Sequence, residues 1–148
     1  MTRVTRTTIG AAAAALATAG VLAAGGSAQA PAGTTLHLVS TPQKGVGFFP
    51  KGKEGKQGDR IGFGSKIGGD DTGIGRGYCT FIGAKTILCT LQAQLSKGTL
   101  SLQGLTPHVS KNTPVSVIGG TGAYNGARGT ALLTDTKTGT KVDVSLLP

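Results

Sequence analysis

From residue 35 onward the chain is built from short runs in which apolar and polar residues alternate. A period of two commits a chain to strands with unlike faces. The alternation is clearest in three places. Ile87, Cys89, Leu91, Ala93 and Leu95 alternate with Thr90, Gln92 and Gln94. Leu100 and Leu102 alternate with Thr99, Ser101 and Gln103, and Val142, Val144 and Leu146 with Lys141, Asp143 and Ser145. Weaker runs complete a set of eight, over residues 35–41, 60–67, 77–82, 86–95, 99–105, 113–118, 129–134 and 140–147. Eight short strands parted by glycine-rich turns predict an all-β domain, either a small antiparallel barrel or a sandwich. Residues 45–58 are the longest stretch without strand character. The Phe48-Phe49-Pro50 element inside it would either fold over a barrel mouth or pin the loop to the outer wall.

The N-terminus reads as an export signal. Arg3 and Arg6 supply a short positive segment, residues 9–24 a mildly apolar, alanine-dominated core, and small residues offer cleavage after Ala28 or Ala30. Pro31 would follow a cut after Ala30, which favours Ala28. Residues 1–28 are therefore expected to be a signal peptide and 29–148 a single domain, secreted and without a transmembrane segment. The arginines are not adjacent, so a twin-arginine signal is not expected, and no cysteine follows to carry a lipid.

The chain has 15 Lys and Arg against 6 Asp and Glu, a net charge of +9. Loss of Arg3 and Arg6 with the leader leaves +7. Lys51, Lys53, Lys56 and Arg60 crowd one glycine-rich stretch, which is either a solvated loop or a patch for anionic polymers. Export and the scarcity of aromatics, two Tyr and four Phe, argue against a nucleic-acid partner.

Cys79 and Cys89 are the two cysteines, bound for an oxidising compartment. A hairpin turning on Ala84 pairs Ile82 with Thr86, Phe81 with Ile87 and Cys79 with Cys89, which predicts a structural disulfide. The inventory for catalysis is thin. His37 and His108 form no spaced metal-ligand pattern, so no metal and no cofactor is expected. Asp70-Asp71, in a Gly-rich turn, could hold calcium or serve the turn itself. No nucleophile elbow is present, and the glycine spacings around Gly73 and Gly120 lack the helix and lysine of a phosphate loop.

Residues 119–129, GGTGAYNGARG, lie between two strand runs, and the spacing of their glycines marks an irregular turn. With the following residues they read GGTGAYNGARGTALLTD, which resembles the allene oxide cyclase and dirigent superfamily. Shorter matches at Leu36-His37-Leu38-Val39, Gly58-Asp59-Arg60, Gly77-Tyr78-Cys79 and residues 98–104 extend the resemblance over most of the mature chain. The resemblance implies an eight-stranded antiparallel β-barrel whose interior holds a small hydrophobic or phenolic molecule and confines it so that cyclisation or coupling follows one course. It also implies homotrimers. By position, Arg128 matches an arginine that in dirigent proteins points into the pocket. Parity then sets Arg128, Thr130 and Leu132 on the luminal face, with His37 and Tyr78 as further ligand-binding candidates. The alternative for Arg128 is hydrogen bonding to turn carbonyls. Gly119, Gly120, Gly122, Tyr124 and Gly129 are expected to shape the turn, with Tyr124 anchoring it by packing. The acids that dirigent proteins bring to the pocket from the first strand and the glycine turn are missing, and the glutamate that cyclases use has no clear partner in Glu54. Two functions follow: an isomerase-like or dirigent-type ligand-binding barrel, or a non-catalytic module holding anionic envelope polymers through the basic loop.

Overall fold

The computed structural model describes residues 33–48 and 55–148. The expected signal segment, and Phe49, Lys51, Lys53 and Glu54 of the basic loop, lie outside the described residues. Eight strands follow one another: β1 (Thr35–Phe48), β2 (Arg60–Gly69), β3 (Gly73–Phe81), β4 (Thr86–Leu95), β5 (Gly98–Pro107), β6 (Asn112–Gly120), β7 (Gly129–Asp135) and β8 (Thr140–Leu146). Each pairs antiparallel with its sequence neighbour, and β8 returns to β1, Thr35 opposite Ser145 and Ser40 opposite Thr140, so the sheet closes into a barrel. Closure removes the unpaired edges that an open sheet would present. Among the described residues no helix is long and apolar enough to cross a membrane.

The period-two runs set the two faces. Leu36 and Leu38 of β1, Ala93 and Leu95 of β4, Leu100 and Leu102 of β5, Val115 and Val117 of β6, Ala131 of β7, and Val144 and Leu146 of β8 point inward into one core. A smaller cluster of Cys79, Phe81, Ile87 and Cys89 lines the other half of the lumen. The hairpin register is the expected one: Phe81 faces Ile87 and Cys79 faces Cys89, with a disulfide between the cysteines and Cα atoms 4.0 Å apart.

Two strands extend four or more residues beyond the sequence pattern at one end, and several others by one to three. β3 begins at Gly73 rather than at residue 77, because Gly73 and Gly75 pair with Leu95 and Ala93 yet carry no side chain to mark a face. β1 runs on to Phe48, into the stretch expected to be loop, through a wide bulge. Between Pro42 and Gly47 it advances five positions while β2 advances two, from Ser65 to Phe63. Phe48 then lies on the outer wall, its ring over Gly62, which settles its half of the Phe48-Phe49 alternative in favour of pinning.

Candidate binding site

The two ends of the barrel differ. At one end the lumen is plugged. Leu100 and Val144 are fully enclosed there, and Tyr124, from the 3-10 turn Gly122–Tyr124, is buried beside them. The Tyr124 hydroxyl donates a hydrogen bond to Asp71 Oδ2 at 2.7 Å. Asp71 also accepts from the Thr72 amide at 2.7 Å, the Ser96 amide at 3.2 Å, the Ser96 hydroxyl, and the Lys97 amide at 3.4 Å. One carboxylate thus ties the β2–β3, β4–β5 and β6–β7 connections into a floor. Burial alone would raise its pKa, but the donors from Ser96, Tyr124, Thr72 and Lys97 outweigh burial and hold it well below the usual carboxylate range. Burial and the neighbouring Asp71 push the Tyr124 phenol up.

The glycine segment serves this floor. Gly122 has φ +62°, and a Cβ there would sit 2.5 Å from the Lys97 carbonyl oxygen. Gly129 has φ +151°, and its Cβ would run into the carbonyl oxygen of Ser145. Gly119 and Gly120 close β6, Gly119 with open space around it. Tyr124 therefore anchors the turn by packing, as expected, and also through its hydroxyl. Asp70 Oδ2 accepts from the His37 amide at 2.8 Å, so both carboxylates of the Asp70-Asp71 pair are engaged by the protein itself. Among the described residues no group of three or more potential ligands could hold a metal ion.

At the opposite end the lumen opens into a cavity of about 370 Å³. Its walls are mostly apolar: Phe63, Ile87, Leu91, Val115, Leu133 and Val142, with the Cys79–Cys89 disulfide among them and Ser40, Ser65 and Thr106 as the polar members. Its rim is polar, made by Ser110, Thr113, Asp135, Thr140 and His108. Below, it narrows to a chamber of about 60 Å³ that shares Ser40, Phe63, Ser65, Leu91, Leu133 and Val142 with the cavity above. That chamber is room for about two water molecules. The upper cavity falls within the roughly 300–1,000 Å³ typical of small-molecule sites. His108 is held by its amide on the Lys85 carbonyl at 2.9 Å and by an edge-on contact of its ring with Phe81, centroids 4.6 Å apart, and its ring nitrogens have no hydrogen-bond partner among the described residues. Asp135 Oδ1 accepts from the Thr140 hydroxyl at 2.9 Å and its second oxygen has no partner among the described residues. Asp135 is the one carboxylate in the lining.

None of the three ligand-binding candidates from the sequence faces the lumen. On β7 it is Ala131 and Leu133 that point inward, so Arg128, Thr130 and Leu132 lie outside, the reverse of the expected parity. The strand carries Leu at both 132 and 133, and such a pattern gives no face away. The Arg128 guanidinium bonds no turn carbonyl among the described residues; only its backbone oxygen is used, by the Leu147 amide. Tyr78 is 43% exposed on the outer face, under the Arg60 guanidinium at 5.6 Å. His37 is outside as well, its Nδ1 2.8 Å from Asp143 Oδ1. That hydrogen bond raises the imidazole pKa above its ordinary 6.5, against the opposing desolvation and with help from the charges of Asp143 and Asp70. The residues that do reach the mouth, His108 and Asp135, sit at strand ends, where a two-residue period no longer assigns a face.

The fold and its cavity define a closed up-and-down antiparallel barrel, floored at one end and pocketed at the other. Residues 73–147 match the dirigent-like protein family, and the chain belongs to it. The solved structure of a pyocyanin demethylase is similar at a TM-score of 0.67 and 25% sequence identity, over 76% of this chain and 99% of that one. Two pterocarpan synthase dirigent proteins share the fold, each at a TM-score of 0.54. They are 19% and 21% identical, covering 76% of this chain and 83% and 90% of theirs. No curated protein sequence matches the chain.

Proposed function

We propose that this protein is an exported barrel that binds one small, mostly apolar ring compound, phenolic or similar, in the mouth of its lumen and steers that compound's cyclisation or coupling by holding it in one pose. The observation that carries the reading is the 370 Å³ mouth, apolar below and hydrogen-bonding at the rim. Such a cavity rewards a ligand whose ring desolvates against Leu91, Leu133 and Val142 while a hydroxyl or carbonyl stays at the rim. His108 can donate or accept there, and Asp135 can accept. Confinement of this kind lowers the barrier to a ring closure by removing unproductive conformers, with few reacting side chains. Support also comes from the similarity to a solved structure named as a pyocyanin demethylase. The disulfide is compatible with an oxidising compartment.

The test is native mass spectrometry and thermal denaturation of the secreted protein against a panel of phenols and flat heteroaromatic compounds. A one-to-one complex and a raised Tm are expected for at least one class. Val142→Trp, which fills the lumen, should abolish both effects. His108→Ala or Asp135→Asn should weaken a hydroxyl-bearing ligand about tenfold, the loss of one hydrogen bond to a charged or polar partner. Ligands that bind Val142→Trp as well as the native chain, or a Tm indifferent to the whole panel, would overturn the proposal.

A further inference from the structure

The outer wall carries a second concavity, of about 510 Å³, that the luminal site does not explain. It is made by the bulge of β1. The inserted residues, with Gly45 at φ +74°, arch over β2 and lay Val46 against Gly64 and Phe48 against Gly62. A Cβ at either glycine would collide with those side chains, so the glycines are what let the arch lie down. The far wall is Tyr78 of β3, with Thr90 and Gln92 of β4 beside it, and Arg76 lies in the groove between the walls.

Its chemistry is consistent. Two aromatic rings, Phe48 at 52% and Tyr78 at 43% exposure, are left to solvent. Thr90 and Gln92 offer a hydroxyl and an amide. The Arg76 guanidinium is steadied by the Gln43 side-chain oxygen at 3.0 Å and the Gly75 carbonyl at 3.2 Å, and Arg60 lies over the Tyr78 ring. No groove-lining residue is acidic, and among the described residues neither guanidinium has a carboxylate within 4.0 Å. Exposed ring faces, amide and hydroxyl groups in a row along the strands, and unneutralised arginines form a surface for a ligand that is both ring-faced and anionic.

We infer that this groove binds a carboxylated glycan, with pyranose rings stacked on Phe48 and Tyr78 and a carboxylate on Arg76. Sugar rings present C–H faces to aromatic side chains and hydroxyls to Thr90 and Gln92. Arginine pairs carboxylates through two parallel hydrogen bonds. An open groove on the outer wall suits a chain that passes along it, whereas a small apolar molecule is better desolvated in the lumen. The inference does not rest on the luminal ligand: Phe48, Tyr78 and Thr90 line the groove and not the lumen, while Phe63, Arg76 and Gln92 border both spaces.

Calorimetric titration of the full secreted protein with a galacturonate oligomer and with a neutral galactose oligomer of equal length tests it. The acidic oligomer should bind at least about tenfold more tightly, with affinity falling as salt is raised. Arg76→Gln and Tyr78→Ala should each weaken it about tenfold, and Thr90→Trp, which obstructs the groove, should abolish binding. Val142→Trp should leave it unchanged. Equal affinity for the neutral oligomer, or unaltered binding in both Arg76→Gln and Thr90→Trp, would sink the inference. So would tighter binding of a single-stranded oligonucleotide of the same charge. A Tyr78→Ala protein that sediments as a smaller species would identify the groove as a self-contact instead.

Discussion

At the scale of single residues, Asp71 holds three connections of the barrel together. A carboxylate buried to 4% exposure is tolerable only while its donors are present. Tyr124→Phe removes the one donor that reaches it from the glycine segment, and should destabilise the fold by about 1–3 kcal/mol, read as a shift in urea midpoint. The pH dependence has a definite sign. The folded pKa of Asp71 lies below its ordinary 3.8, so its contribution is complete above that value and is lost as pH falls through the folded pKa. The stability gap between the native chain and Asp71→Asn should be full above about pH 4 and shrink below it. A gap that widens on acidification would contradict the assignment. None of this was visible in the sequence, because the partners of Asp71 come from 25 and 53 positions away. An Asp in a Gly-rich turn has the same local signature whether it binds calcium, caps a turn or holds a barrel shut.

Elements were legible to the degree that their side chains alternate. β4 carries an unbroken apolar face and was delimited to the residue, while β5 and β8 carry shorter apolar runs at Leu100–Leu102 and Val142–Leu146. β3 lost its first four residues to glycine, and β1 its last seven to the bulge, where the register slips and the period with it. The turn between β6 and β7 was legible as a turn, yet its job as a floor was not. The β3–β4 hairpin is the element whose register the sequence settled outright, since two cysteines ten apart across a three-residue turn leave one symmetric pairing. Its disulfide closes a short loop, worth about 2.5–3 kcal/mol on the chain-entropy model. Reduction, or the double change Cys79→Ala and Cys89→Ala, should lower stability by about that amount, measured by denaturant titration in matched buffers. The pair also forms part of the cavity wall, so bound ligand should slow its reduction.

For the whole molecule the decisive property is the difference between its ends. One is cross-linked through a single carboxylate by three connections; the other is a ring of turns around an opening, with no such shared carboxylate among the described residues and a backbone bond from the His108 amide to the Lys85 carbonyl. Local stability should follow that division. Amides at 70–72, 96–98 and 121–127 are expected to exchange with deuterium more slowly than those in the mouth turns at 82–85, 108–111 and 136–139. Hydrogen-exchange mass spectrometry would show it, and the opposite order would refute the picture of a tied floor.

A fixed floor under an open mouth has a further consequence. A guest that fits the wide upper cavity can descend only until the lumen shrinks to the small chamber beneath it, so the barrel would act as a depth gauge. The length of the guest below that stop decides which of its atoms comes level with His108 and Asp135. Two compounds with the same reactive group but tails differing by a few carbons would present different bonds to the rim. Selectivity in such a vessel is set by a measured distance along the barrel axis.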